Sequence, residues 1–513
     1  MPVPRRRLGV PLAALLVALA VPLALAGAQV TRVGPPATAV KPSRESALID
    51  TVASRLFALG ASPGMAVVVV RDTQVVYLKG FGWADVEAKR AVTPQTVFYI
   101  ASTTKSFTGL AASILDRAGT FPLDAPLSRY LPQLRLAEPL RADSITIRAL
   151  LSHTHGIDNA GPVVLRLAYT GEYRDDAQLV EMLARHGAAA SGRSYRYGNI
   201  GYNVAALAMD AVTKESWKET LRRLLFEPLR MTSTGAYVSR VPKERLAMPY
   251  GTTPTGFARI PYGKTDANMQ SAGGLVTTAA DMGRWLEMHI GMGRVDGRQV
   301  IPAAAVAETH KTQASFSQSG RGVRTVGYGF GWNIALLGED TLLTHGGGFA
   351  GFAAHMSFMP QRRLGVAVLT NNGELGSGLA ELTAQQIYRV MTGNGRIDED
   401  SLAAIGSQLA RAREGMAAER ARRAARPQTL PYPLSAYVGT YDGAEFGRLE
   451  LRLVDGKLEA RAGAAWSAVE VYDHTKNQLR LELFGSGEVA TVTMKDGRAG
   501  SIVLGRSTLT RVR

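Results

Sequence analysis

Strand-type runs lie near both ends of the segment from about residue 64 to 373, with helix-period sequence between them, and this arrangement limits the folds open to the chain. The stretch GMAVVVVRDTQVVYLKGFGWAD (64–85) reads as two strands around a turn at Asp72-Thr73-Gln74. TVGYGFGWNIAL (325–336), DTLLTHGGGFAGFAAHMSFMP (340–360) and RRLGVAVLTNNG (362–373) read as three later runs, and GLAELTAQQIYRVMTG (378–393) as a closing helix. Between them, Thr103 to Ala118 and Tyr202 to Leu229 carry helical periodicity, and another helix is expected around Ser43 to Leu59. Strands at both ends with helices between predict an α+β fold: one antiparallel sheet assembled from distant chain segments and covered by a helical insertion.

After Asp398 the character changes. Residues 398–429 are a charged helical linker, with the basic run RAREGMAAERARRAARP (411–427). Beyond it, GRLELRLVDGKLEARAG (447–463) alternates apolar and charged residues around Asp455-Gly456, and a second Asp-Gly turn falls at Asp496-Gly497, so residues 430–513 predict a small antiparallel β domain. At the other end, Arg5-Arg6-Arg7, the nearly uncharged run Leu8 to Ala26 and the small residues Ala26-Gly27-Ala28 read as a signal peptide over residues 1–28. This predicts an exported protein, periplasmic or secreted and bacterial, with residues 29–397 as the main domain. Membrane contact is expected only through an uncleaved leader. The chain of 513 residues contains no cysteine, which removes disulfides and thiol nucleophiles. Its net charge of +16 is carried by scattered arginines without an aromatic-interleaved stripe, so no nucleic-acid partner is expected. Nor does a phosphate-binding G-x-x-x-x-G-K loop occur, and no cofactor is expected.

The stretch YIASTTKSFTG (99–109) puts Ser102 three residues before Lys105 at the predicted start of a helix. Residues three apart share a helical face, so the amine can lie beside the hydroxyl. A buried lysine loses its charge and can then take the serine's proton, while the helix N-terminus faces a developing oxyanion. Two further stretches carry chemistry. In YRYGNIGYNVAAL (195–207), Tyr197, Asn199 and Tyr202 sit at a loop-to-helix boundary; in LLTHGGGFAGFAAHMSF (342–358), His345 precedes Gly346, Gly347 and Gly348 within a strand. A glycine run weakens a strand and marks a close approach of another backbone or a ligand.

The ordered set S-x-x-K, Y-x-N, H-G-G resembles the serine hydrolase family of class C β-lactamases, low-molecular-weight penicillin-binding DD-peptidases and related esterases and D-amino-acid peptidases. LLSHTHGI (150–157), SAGGLVTTAADMGRW (271–285) and YGFGW (328–332) are similar to further segments of that family, over about residues 40 to 395. The resemblance implies a β-lactamase/transpeptidase-like sheet flanked by helices, and likens the C-terminal domain to lipocalin-like modules. It implies Ser102 as nucleophile, Lys105 and Tyr197 as its catalytic partners, and Asn199 orienting the lysine or the substrate. It also implies an oxyanion hole from the Ser102 and Gly348 N–H groups, with His345, Gly346 and Gly347 against the substrate. Our reading makes Tyr197 the base, its phenol lowered by the Lys105 cation, with the two titrating as a coupled pair.

One departure bears on substrate. The β-lactamases of the family have Lys-Thr-Gly where this chain has His345-Gly346-Gly347, and a mostly neutral histidine suits a carboxylate less well than a lysine does. An acyl-enzyme esterase or peptidase acting on a small-molecule or peptide substrate is therefore expected. The alternatives are a β-lactamase and a muropeptide-binding receptor without turnover. A different chemistry is offered by His153, His155 and Asp158, which could ligate zinc if completed by His186, His289 or His355; the expectation is nevertheless no metal.

Overall fold

The computed structural model describes residues 43–159, 176–184, 187–189, 192–260, 263–320, 322–349, 351–393, 396–397, 399–444, 446–483 and 487–512. The expected leader and its cleavage site lie outside these residues, as does His186. The first helix, α1 (Arg44–Ala58), begins at a Ser43 N-cap that accepts from the Ser46 N–H. Strands β1 (Gly64–Arg71) and β2 (Gln74–Asp85) form the expected hairpin, with Asp72 and Thr73 both at positive φ, the turn geometry that matches strand twist. A short β3 (Arg90–Ala91) pairs with β2 at the sheet edge.

The late runs resolve into more strands than the apolar pattern separates: β4 (Ala314–Gly320), β5 (Val323–Tyr328), β6 (Asn333–Leu337), β7 (Asp340–Phe349), β8 (Phe352–Met359) and β9 (Leu364–Thr370). The run 340–360, read as one unit in the sequence, is a hairpin closed at Phe349↔Phe352 with Gly351 at φ +77°. All nine strands make one sheet in the order β4-β5-β6-β7-β8-β9-β1-β2-β3, so the N-terminal hairpin docks on the sheet's last strand in chain order, as expected for a sheet assembled from distant segments.

Burial on both faces explains the unbroken apolar run of β1. Ala66, Val68 and Val70 face a core shared with α2 (Thr104–Arg117); Met65, Val67 and Val69 face a second core. The expected single helix from Tyr202 to Leu229 is instead divided. Helix α3 (Ile200–Thr213) stops where Lys214 turns left-handed, and the chain restarts at Ser216, whose hydroxyl accepts from the Glu219 N–H to cap Trp217–Leu221. Helices α4 (Gln270–Gly273) and α5 (Ala279–Ile290) contribute to the first core, and α6 (Gly376–Thr392) lies over the second.

The linker is one helix, α7 (Glu399–Ala424). The C-terminal residues form β10 (Gly439–Gly443), β11 (Gly447–Val454), β12 (Lys457–Ala462), β13 (Ala465–Asp473), β14 (Gln478–Leu481), β15 (Glu488–Lys495), β16 (Arg498–Leu504) and β17 (Ser507–Arg511). These pair in sequence order, and β10 closes on β17 through Tyr441↔Arg511, giving a closed eight-stranded barrel.

Candidate active site

Ser102 lies in a 3₁₀ turn (Ala101–Thr103) that feeds directly into α2. The residue before it, Ala101, has φ +46°, a conformation that costs an L-residue about 1–2 kcal/mol. His153, Met269 and Gln270 are also left-handed, at φ +61°, +63° and +43°. His153 lies beside one buried amine, whereas most other positive-φ residues serve surface turns.

That amine is Lys105, whose side chain is fully buried. Its Nζ lies 3.2 Å from Ser102 Oγ, 2.8 Å from Asn199 Oδ1 and 2.7 Å from the Ala272 carbonyl oxygen of α4. No carboxylate of the described residues shares this shell, and burial drives the Lys105 pKa well below the ordinary lysine value. Nζ donates to Asn199 Oδ1, to the Ala272 carbonyl oxygen and to Ser102 Oγ, and once uncharged the amine can turn a lone pair to the Ser102 hydroxyl.

Tyr197 bonds the Ser102 side chain through its hydroxyl, and its ring centroid is 4.9 Å from Lys105 Nζ. One side of the ring is open, leaving the residue 41% exposed, while the other packs on His153 at 4.7 Å. Burial of the hydroxyl end pushes the phenol up to about 12 although its bond to Ser102 pulls the other way. The sequence expectation of a phenol lowered by a lysine cation is therefore corrected: burial raises the phenol and lowers the lysine.

Asn199 precedes the first turn of α3 and is fixed there because its N–H and that of Ile200 both donate to Asn159 Oδ1, at 2.9 and 3.3 Å. Of its two expected roles, the structure shows the one toward the lysine. His345 is also corrected. Its imidazole is 3% exposed, with Nδ1 2.7 Å from the Gly346 carbonyl oxygen and Nε2 3.1 Å from the Tyr328 hydroxyl. A neutral ring donates the first bond and accepts the second, and burial takes the imidazole down to about 3. The side chain is a buried strut, so this residue can offer a substrate only main chain.

The glycines do lie where close approach requires them. A Cβ on Gly347 would meet the Ile100 carbonyl oxygen at 2.2 Å and the Ser102 nitrogen at 3.2 Å. Strand β6 pairs β7 only as far as Asn333↔Thr344, so from His345 to Gly348 the strand pairs with β8 alone and its other edge is open. This bare edge runs beside the nucleophile.

Asn159 and the Ala272 carbonyl had no assigned role in the sequence reading, whereas Tyr202 and YGFGW stood in its motif stretches. Tyr328 and Tyr202, both fully buried, pack on His153 at 4.7 and 5.3 Å and complete a wall of rings around the amine. Gly331 of YGFGW, at φ +78°, lets its loop lie on α2, since a Cβ there would stand 2.3 Å from Ser106 Cα. The candidate zinc ligands are not brought together. Asp158 pairs with Arg196 at 3.5 Å, His155 Nδ1 accepts from the Ile157 N–H, and no metal-binding group of three occurs among the described residues.

A serine, a buried amine and a phenol beside an open strand edge, on a sheet flanked by helices, define a serine hydrolase architecture of the β-lactamase type. The chain belongs to the β-lactamase family, whose model matches residues 49–388. It is 26% identical over 353 residues to Protein flp of Staphylococcus aureus, a match spanning 66% of each chain. Among solved structures, the octameric penicillin-binding protein homologue from Pyrococcus abyssi superimposes with a TM-score of 0.58 at 22% identity, over 91% of this chain and 100% of that one. The D-amino acid amidase from Ochrobactrum anthropi superimposes with a TM-score of 0.57 at 23% identity, over 69% of this chain and 100% of that one.

Proposed function

We propose that this protein is a serine hydrolase that cleaves an ester or amide through an acyl-enzyme on Ser102. The observation that carries the reading is the 3.2 Å contact between Ser102 Oγ and an uncharged Lys105 amine held by two neutral acceptors. Lys105 takes the serine proton as Oγ attacks the substrate carbonyl carbon. The resulting oxyanion is met by the Ser102 N–H at the start of the helix and by the Gly348 N–H on the open edge of β7. When the intermediate collapses, the Tyr197 hydroxyl gives its proton to the departing oxygen or nitrogen and is reprotonated from the Lys105 ammonium. Water then attacks the acyl-enzyme, and the same groups return serine to its hydroxyl form.

An amide or simple ester suits this cleft better than a β-lactam held by its carboxylate, because the third motif offers a buried, neutral His345 in place of a cation. The amidase similarity accords with that preference. Export, on the strength of the Arg5–Arg7 and Leu8–Ala26 pattern, is part of the same proposal. The test is turnover of short-chain nitrophenyl esters and D-alanyl dipeptides, coupled to a fluorophosphonate adduct mapped by peptide mass spectrometry. Adduct at Ser102 with multiple turnovers is the expected result. Adduct elsewhere, or labelling without turnover, overturns the reading.

A further inference from the structure

Next to the open edge of β7, a second and larger space begins. A cavity of about 1350 Å³ touches Gly348 and Phe349 at one end and extends between the main domain, α7 and the barrel strand β13. Pockets for compact ligands run to about 300–1,000 Å³, so this one is large enough for a longer molecule. One stripe of α7, from Ala412 through Met416 and Arg420 to Ala424, forms its wall. At 1.5 Å rise per residue that stripe is about 18 Å long, the length of about five residues of extended peptide.

The charges on the wall are mostly committed. Arg423 pairs with Glu470 at 2.5 Å and Glu482 at 3.1 Å, Arg480 pairs with Glu482 at 2.8 Å, and Glu419 pairs with Arg422 at 2.8 Å. Glu374 accepts from the Thr252 N–H at 3.0 Å. Arg420 is different: exposed, lining the cavity, and without a hydrogen bond or ion pair to any described residue. On the barrel, Trp466 lines the same space and is 36% exposed, a large aromatic surface left open. At the reaction centre Lys105 and His345 are both buried, and burial lowers the pKa of each.

We propose that this cavity is a distal binding site for an extended, peptide-like chain bearing a carboxylate, with Trp466 packing on the chain and Arg420 pairing with the carboxylate. The proposal rests on the serine hydrolase reading in one respect: the chain's reacting carbonyl lies at Ser102, and the rest of it passes Gly348 and Phe349 into the cavity. The barrel is then a wall of the substrate site in the same chain.

Calorimetric titration into the full-length S102A chain tests this without turnover, using glycine, diglycine and tetraglycine as free acids and as C-terminal amides. Tetraglycine acid is expected to bind more tightly than diglycine, and about threefold more tightly than its amide, the size of one exposed charge pair. In an S102A/R420E chain the preference for the acid disappears, and in S102A/W466A the tetraglycine affinity falls about fivefold, the scale of one aromatic contact. Equal affinity for acid and amide, or affinities untouched by both substitutions, overturns the proposal. The catalytic reading is checked separately: R420E and W466A chains that retain Ser102 should hydrolyse nitrophenyl acetate within about twofold of the parent, as expected for sites remote from the reacting atoms. Loss of binding with turnover intact therefore points to the distal site alone, and binding without any turnover points to the reaction centre.

Discussion

The main domain and the barrel are both antiparallel β structures with well-filled interiors, yet they bury different things. Inside the barrel lie Leu449, Leu451, Leu479, Leu481, Ile502 and Leu509 with small alanines between them, and its buried Tyr437 and Tyr441 hydroxyls donate to Asn477 Oδ1 and the Tyr437 carbonyl oxygen. Among the described residues the main domain buries a lysine and five histidines, and His153, His155 and His289 each keep a buried ring nitrogen without a described partner. Burial without compensation costs stability, so the contrast separates a region built for rigidity from one that holds reactive groups in unfavourable protonation states.

The sharpest way to break this contrast is at Ser102. Ser102→Ala is expected to lower nitrophenyl ester kcat by at least about 10³-fold, measured under saturating substrate, while leaving the melting temperature nearly unchanged. Lys105→Met should also cost about 10³-fold in kcat, and because it leaves Asn199 Oδ1 and the Ala272 carbonyl oxygen without this donor, chemical denaturation should show a stability loss of no more than about 1–3 kcal/mol. A fall in stability of several kcal/mol would mean that the amine is charged and paired in the fold. Gly347→Ala is next: the new methyl group collides with the Ile100 carbonyl and displaces the edge beside Ser102, for an expected loss of about 10²-fold in kcat/KM, the scale of a lost oxyanion donor.

Acid should distinguish the two regions without mutation. His345 and His310 are held at about 3 and His155 and His355 at about 4, all below the ordinary value near 6.5 because they are buried. The unfolded chain therefore binds protons that the fold refuses, and stability falls as pH drops from about 6.5 toward about 3. Tryptophan fluorescence and amide exchange across that range should show the main domain opening before the barrel. Ester turnover should rise with pH through the lowered Lys105 pKa, as the amine loses its proton and becomes a base. The smallest effect on catalysis is expected from Leu479→Ala, which should cost the barrel about 2–5 kcal/mol in a denaturant titration yet leave kcat for nitrophenyl acetate unchanged.

Much of this organisation was legible in the residues. The turn at Asp72-Thr73, the helix starting just past Ser102 and the Asp-Gly hairpins of the barrel follow from local chemistry: positive-φ turn residues, 3.6-residue periodicity and strand alternation. Pairing across long separations was less legible. The run 340–360 carried no strong internal break, so its hairpin had to be found in the register Phe349↔Phe352. Closure of the C-terminal strands into a barrel rests on β10 meeting β17, a contact between residues about seventy apart that no local pattern encodes.

What the sequence determined by itself was the inventory and its order: a hydroxyl and an amine one helical turn apart, a phenol before a second helix and three glycines in a strand. That burial pushes the amine's pKa down and the phenol's up was decided only by the tertiary structure. Protonation depends on the solvent and dipoles around a group, and the shell of Asn199, Ala272, His153 and Tyr328 that excludes water from Lys105 comes from segments far apart in the chain.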